Sequence, residues 1–222
     1  MSRHLQKDIE AVKEKIIEMS GLIEDRVYQA TMSVIKRDNA LAQAVIKGDA
    51  EIDQMEVAIE EECLKILALY QPVAVDLRFI VAVMKINNDL ERVGDLAVNI
   101  AERSAFLTTQ EKIKFPFDLE EMAIMAEGML TRSIDALVNL DVREAYRIRS
   151  EDDQVDAYNR EMYARIKDDL LKQPENINSL LHAISIGRHL ERIADHATNI
   201  AEEVIYLVQA RIVRHKPEVF EE

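Results

Sequence analysis

Pairs of carboxylates four residues apart recur along this chain of 222 residues, and they are its strongest candidates for chemistry. The segment 90–102 returns as the segment 190–202, and nine of its 13 positions are identical. The identical positions include two acidic pairs, Glu91 with Asp95 and Glu191 with Asp195. Core packing alone would not require the same acidic residues twice. The duplication therefore predicts both a repeated fold and a repeated site.

A second set of acidic pairs recurs with an offset of 103 residues: Asp49 with Asp53, and Asp152 with Asp156. Asp49 and Asp95 lie equally far in sequence from Pro72, where a helical hairpin is expected to turn. Because the rise per residue of a helix is constant, such residues lie at the same height on antiparallel helices. Asp53 and Glu91 are likewise equally far from Pro72. In the second repeat Asp152 with Asp195, and Asp156 with Glu191, are equally far from a point next to Pro174. The pattern predicts two clusters of four level carboxylates.

Four level carboxylates could bind a hard cation, because Mg²⁺, Ca²⁺, Mn²⁺ and iron accept oxygen ligands. Adjacent like charges on a helix also destabilise it unless a counter-charge is present. Carboxylates that bridge ions could hold more than one metal. The predicted metal ligands are Asp49, Asp53, Glu91, Asp95, Asp152, Asp156, Glu191 and Asp195.

The same acidic stripe could instead be an ordinary solvated helix face. On a helical wheel Glu91 and Asp95 lie opposite the apolar positions Val93 and Ile100, so any metal site would be on the bundle surface. Neighbouring Arg92 and Arg192 would then be local counter-charges. No Glu-x-x-His motif of the ferritin-like di-iron type is present in the sequence. The evenly spaced residues His182, His189 and His196 are interpreted as core-edge residues rather than ligands or a phosphotransfer site.

The composition limits the classes of partner. With 28 basic and 42 acidic residues the formal net charge is −14, which disfavours binding to nucleic acid or directly to an anionic membrane. The single Cys63 excludes an internal disulfide, and it reads as a small core residue. Neither a signal peptide nor an apolar membrane span is visible. A cytoplasmic protein is expected.

Apolar residues at helical spacing predict six long helices and no strand. Asp118 with Glu121, and Asp141 with Glu144, have the spacing of helix-capping boxes. Pro72 and Pro174 suit the first turns of the third and sixth helices. The predicted helices run from about 3 to 36, 39 to 70, 72 to 106, 118 to 140, 141 to 172, and 174 to a point before Pro217.

These helices predict an all-α fold of two tandem three-helix bundles related by an internal repeat. The first bundle spans residues 1–107 and the second spans 118–215. Residues 108–117 form the predicted linker between them.

The chain resembles the PhoU family over nearly its whole length. The resemblance rests on the two Leu-Glu-Arg segments above, on Gly48–Glu56, and on Gln71–Arg78 between the second and third helices. The family's acidic signature, in which Asp follows Glu or Asp by four residues, maps onto the eight predicted ligands. The second repeat departs from the pattern, because Gln173–Asn176 lacks the Asp-Leu-Arg sequence.

The resemblance implies two three-helix bundles that carry metal ions or multinuclear clusters on acidic surfaces. Iron, magnesium, manganese or zinc are the expected metals. It also implies a cytoplasmic homodimer that acts as a negative regulator of the phosphate-starvation response. Such a protein links the ATPase subunit of the phosphate ABC transporter to a membrane sensor histidine kinase, and it meets the membrane only through these partners.

The residues themselves leave two other functions open. A metal-dependent phosphohydrolase could use the acidic clusters, but it would need a general base or a cationic group beside the metal. Only Arg92 and Arg192 offer such a group in the sequence, and no nucleophile motif is visible. A metal-buffering protein would need only the carboxylates. A non-enzymatic adaptor is the favoured prediction.

Overall fold

The computed structural model describes residues 3–214. Over this range the chain forms seven α-helices, a short 3-10 helix and no strand, which confirms the predicted all-α class. The α-helices are α1 (Arg3–Lys36), α2 (Asn39–Lys47), α3 (Asp49–Tyr70), α4 (Ala74–Thr108), α5 (Leu119–Asn139), α6 (Val142–Lys172) and α7 (Ile177–Gln209). The first four helices form the first repeat and the last three form the second.

Aspartates cap the helices that begin after short connections. Asp38 accepts a hydrogen bond from the backbone nitrogen of Leu41 at 3.0 Å at the start of α2. Asp118 accepts one from the nitrogen of Glu121 at 3.1 Å at the start of α5. Asp141 accepts hydrogen bonds from the backbone nitrogens of Arg143 and Glu144 at the start of α6. Such side chains satisfy backbone donors that have no partner within the helix. The caps predicted at Asp118 and Asp141 are confirmed.

The predicted single helix over residues 39–70 is wrong, because it is interrupted at Gly48. The guanidinium of Arg26 lies against the backbone there, and a Cβ atom on Gly48 would overlap it. Arg26 also donates from Nη2 to Glu51 Oε2 at 3.3 Å. An offset of 103 residues places Glu151 at the position equivalent to Gly48, and α6 continues through it without a break. The first repeat therefore contains one more helix than the second.

The two proline turns also differ from the prediction. Pro72 precedes the extended N-cap residue Val73, so α4 begins at Ala74 rather than at the proline. Pro174 opens the 3-10 helix Pro174–Asn176, and α7 begins after it. Helix α7 ends at Gln209, while Pro217 and the predicted boundaries at residues 1 and 215 lie outside the described residues.

The long helices α4 and α7 pack against each other in antiparallel register and join the repeats. Lys85 near the start of α4 meets Glu203 near the end of α7, with Nζ 2.9 Å from Oε1. At the other end, Arg103 Nε donates to Ser185 Oγ at 3.4 Å. One continuous hydrophobic cluster runs through both repeats, so they share a core. The acidic pairs lie outside that core.

No helix within residues 3–214 combines the length and the apolar character needed to cross a membrane.

Candidate functional site

The first acidic cluster brings the N-terminal turn of α3 beside the middle of α4. Asp49 opens α3 and is partly buried, as are Glu91 and Asp95 on α4, whereas Asp53 is exposed. Burial, followed by the charges of Asp53 and Asp95, raises the pKa of Asp49. Burial and the charge of Asp95 likewise raise the pKa of Glu91, although Arg92 opposes the shift. The structure therefore brings the four predicted carboxylates of this repeat within reach of one another's charges.

The second acidic cluster joins the middle of α6 to α7 and is more strongly perturbed. The side chain of Asp195 is exposed, but its pKa is raised to about 6, first by desolvation from the surrounding groups and then by three neighbouring carboxylates. These neighbours are Glu191, Asp152 and Asp156. Burial and the charges of Asp156 and Asp152 also raise the pKa of Glu191. Like charges in this cluster thus oppose ionisation, which is the situation that a bound cation would relieve.

Few positive charges compensate the eight carboxylates. Arg92 Nε lies 3.6 Å from Glu91 Oε2, which agrees with its predicted role as a local counter-charge. Arg160 Nη1 lies 3.7 Å from Asp156 Oδ2. In the part of the chain that the structure describes, the remaining members form no ion pair with a basic side chain: Asp49, Asp53, Asp95, Asp152, Glu191 and Asp195.

Two further carboxylates belong to these surfaces and were not among the predicted ligands. The charge of Glu56 contributes to the raised pKa of Glu91. The charge of Glu202 contributes to that of Asp152, whose Oδ1 also accepts a hydrogen bond from Thr198 at 3.3 Å. Glu202 was visible as the last residue of the duplicated segment, and Glu56 lies one helical turn after Asp53. Both could have been found by extending the acidic stripes along their helices.

The donor chemistry of both clusters fits a hard cation, because every side chain offers carboxylate oxygen. Between residues 3 and 214, however, no three Asp, Glu, His or Cys side chains converge closely enough to hold one ion. The clusters lie on a surface where side chains rotate readily, so binding would require the carboxylates to turn towards the ion. The assignment of the eight residues as metal ligands stays a prediction.

The three evenly spaced histidines lie at the contact between α4 and α7, as expected for core-edge residues. The ring of His182 stacks on Phe106 with centroids 3.9 Å apart. Burial and nearby arginine charges lower the pKa of His189 to about 4. Nδ1 of His196 lies 2.8 Å from Oδ1 of Asp89. The three rings are therefore part of the packing between α4 and α7.

The duplicated architecture has a counterpart among known families. A family model described as PhoU domain matches residues 16–104 and matches again at residues 119–204. The chain belongs to the PhoU family. The resemblance read from the acidic motifs is thereby confirmed.

Relatives in the PhoU family match nearly the full length of this chain. A protein of Aquifex aeolicus named phosphate-specific transport system accessory protein PhoU homolog is 39% identical over 212 residues, which is 96% of each chain. The Escherichia coli K12 protein, named phosphate-specific transport system accessory protein PhoU, is 32% identical over 215 residues, 97% of this chain and 89% of the relative.

Two solved PhoU structures have the same fold. The crystal structure of PhoU from Pseudomonas aeruginosa matches with a TM-score of 0.90 at 36% identity, covering 93% of this chain and 99% of that one. The phosphate transport system regulatory protein PhoU from Streptococcus pneumoniae matches with a TM-score of 0.84 at 29% identity, covering 94% and 99%. The arrangement of two tandem helical repeats that the motifs predicted is that of this family.

Proposed function

We propose that this chain is an accessory protein of phosphate-specific transport and a negative regulator of the phosphate-starvation response. The observation that carries the proposal is the PhoU match to both repeats, together with relatives of nearly equal length that are named for this transport system. Because the similarity to these two relatives covers at least 89% of each chain, the proposed role applies to both repeats together rather than to one of them.

The proposed mode of action is that of a non-enzymatic adaptor. It would couple the ATPase subunit of the phosphate ABC transporter to a sensor histidine kinase, working as a cytoplasmic homodimer that reaches the membrane only through these partners. The names of the relatives support an accessory role rather than catalysis. A net charge of −14 favours partners that present basic surfaces.

The acidic clusters would bind metal ions such as iron, magnesium, manganese or zinc. A bound ion would supply positive charge between helices, linking α3 to α4 at Asp49 and Asp95 and linking α6 to α7 at Asp152 and Asp195. The raised carboxylate pKa values support this role, because desolvation and then neighbouring like charges disfavour the ionised carboxylates, and a bound cation would offset both effects. Occupancy of the clusters would then stabilise the helix pairs that form each repeat.

Co-purification from phosphate-replete cells tests the adaptor role. The tagged full-length chain should retain both the transporter ATPase and the sensor kinase, and both should be identified by mass spectrometry. A matched test compares E191Q/D195N with E14Q/E18Q, which neutralises an exposed acidic pair of the same spacing on α1. Failure to retain either partner with the wild-type chain would contradict the proposal. Turnover of a phosphomonoester by the metal-loaded protein would favour a phosphohydrolase instead.

A further inference from the structure

A basic cleft lies where the linker between the repeats crosses the ends of several helices. Its volume is about 760 Å³, within the range of about 300–1,000 Å³ that is typical of small-molecule sites. The walls come from α1 and α4 of the first repeat, from residues 112–117 of the linker, and from α5 with its N-cap and α6 of the second. The cleft therefore lies between the repeats and away from the residues of the acidic clusters.

The charge of this cleft is opposite to that of the molecule. Its charged lining consists of four basic and two acidic residues: Arg37, Lys112, Lys114, Arg165, Asp118 and Asp169. In the whole chain acidic residues outnumber basic ones by 42 to 28. A local excess of positive charge in such a chain favours an anionic ligand.

Three of these cations lack a carboxylate partner. Among residues 3–214, neither Arg37 nor Lys112 nor Lys114 forms an ion pair. Arg37 Nη2 instead donates to the backbone carbonyls of Leu107 at 2.6 Å and Gln110 at 2.7 Å. Neutral carbonyls orient the guanidinium but leave its charge uncompensated. The charge of Arg37 is thus held in position, and none of the three positive charges is compensated by a carboxylate.

Most of the remaining lining residues are apolar or aromatic. The rings of Phe115 and Phe117 stack with centroids 5.8 Å apart, and Phe115 remains partly exposed. The hydroxyl of Ser104 is fully buried in this wall and has no hydrogen-bond partner. The aromatic side chains instead give the cleft an apolar surface against which the ring of a ligand could stack.

We propose that this linker cleft binds an organic phosphate of nucleotide size. An inorganic anion would satisfy the lysines but leave the aromatic wall in contact with water. A nucleotide matches both parts, because its base can stack on Phe115 while its phosphates meet Lys112 and Lys114. Bound between the repeats, it would fix the linker against α1 and α6.

Calorimetric titration of the full-length chain with ATP tests the proposal. EDTA in the buffer prevents a metal ion from bridging ATP to the acidic clusters. One saturable site per chain is expected, with affinity that falls as salt concentration rises. Inorganic phosphate and adenosine, titrated separately, should each bind at least about tenfold more weakly, since each contacts only half of the site. Equal affinity for inorganic phosphate and ATP would overturn the organic-ligand assignment, and no saturable binding at millimolar ATP would overturn the site.

Charge-reversal variants locate the binding. K112E/K114E should weaken ATP binding by at least about tenfold, because it places like charge beside the phosphates. F115L should weaken binding of ATP and remove any measurable binding of adenosine. The matched control K7E/K47E makes the same change in net charge at exposed lysines on α1 and α2. If K112E/K114E and K7E/K47E lose the same affinity for ATP, the binding is non-specific electrostatic attraction and the proposal is overturned.

Discussion

Asp89 in α4 and His196 in α7 join the two repeats through a hydrogen bond of 2.8 Å between Oδ1 and Nδ1. Asn199 Nδ2 donates to the same carboxylate oxygen at 3.1 Å. The residue equivalent to His196 in the first repeat is Leu96, so the duplicated helices make this contact only once. The repeats are thus related in sequence but joined by an asymmetric polar interface.

The variant H196L should lower the free energy of unfolding by about 1–3 kcal/mol, because Asp89 would lose a partner while remaining partly buried. The double variant D89L/H196L should recover part of this loss, because it also removes the carboxylate, which in H196L keeps only the hydrogen bond from Asn199. Urea denaturation followed by circular dichroism measures both values. A single variant as stable as the wild type would show that the contact is energetically neutral.

The close packing of α6 on α7 leads us to a second prediction, on the stability of glycine variants. A Cβ atom on Gly187 would overlap the sulfur of Met162, and because Met162 is fully buried its flexible end has little room to move. The variant G187A should therefore destabilise the protein by about 1–3 kcal/mol through overpacking. The second change M162A should relieve that overlap. Gly21 has open space around its Cβ position in α1, so G21A should instead stabilise by about 0.5–1 kcal/mol. Thermal melting of the three variants distinguishes packing from helix propensity, and a destabilised G21A would contradict this reasoning.

The raised pKa of Asp195 predicts how stability depends on pH in a chelating buffer. Its pKa of about 6 in the folded protein exceeds the ordinary value of 3.8, so the folded state binds this proton more tightly. The contribution of Asp195 is therefore most favourable below about pH 4 and is lost as pH rises through about 6. D195N should be more stable than the wild type at pH 7.5, and the difference should shrink towards pH 4.5.

The control for this experiment is E14Q at an exposed position of α1. Its stability difference from the wild type should show no comparable change between the two pH values. A D195N variant that is less stable than the wild type at pH 7.5 in the presence of chelator would contradict the proposed repulsion.

Metal content tests the cluster assignments directly. E91Q/D95N should lower the bound metal measured by elemental analysis by about half, if each repeat holds an equivalent site. E14Q/E18Q should leave the metal content unchanged. Wild-type protein should also melt at a higher temperature with metal than with chelator, because metal binds the folded state preferentially. If E91Q/D95N retains its full metal content, the acidic pairs are only a solvated face.

Much of the fold followed from local sequence signals. The capping side chains of Asp118 and Asp141 act within a few residues of themselves, so their spacing was sufficient to place the starts of α5 and α6. The break at Gly48 was missed, and the contact that accompanies it, with the guanidinium of Arg26, involves a residue 22 positions earlier on another helix. A contact that depends on tertiary packing leaves no periodic pattern in the sequence.

The candidate sites also divide into one that local sequence signals predict and one that depends on tertiary packing. The acidic clusters were predictable because the duplication and the helical rise fix their relative heights without knowledge of packing. The linker cleft was not predicted, because Arg37 and Lys112 belong to separate segments that only the folded chain brings together. The contact of Lys85 with Glu203 likewise depends on how α4 crosses α7.

Expression of a phosphate-starvation reporter gene in phosphate-rich medium measures the regulatory function most directly. Deletion of the gene for this chain should derepress the reporter, and both the wild-type gene and the E14Q/E18Q control should restore repression. If the acidic clusters serve that function, the combined variant E91Q/D95N/E191Q/D195N should restore it less completely at equal protein levels. Unchanged reporter expression after deletion would contradict the proposed role in the phosphate response.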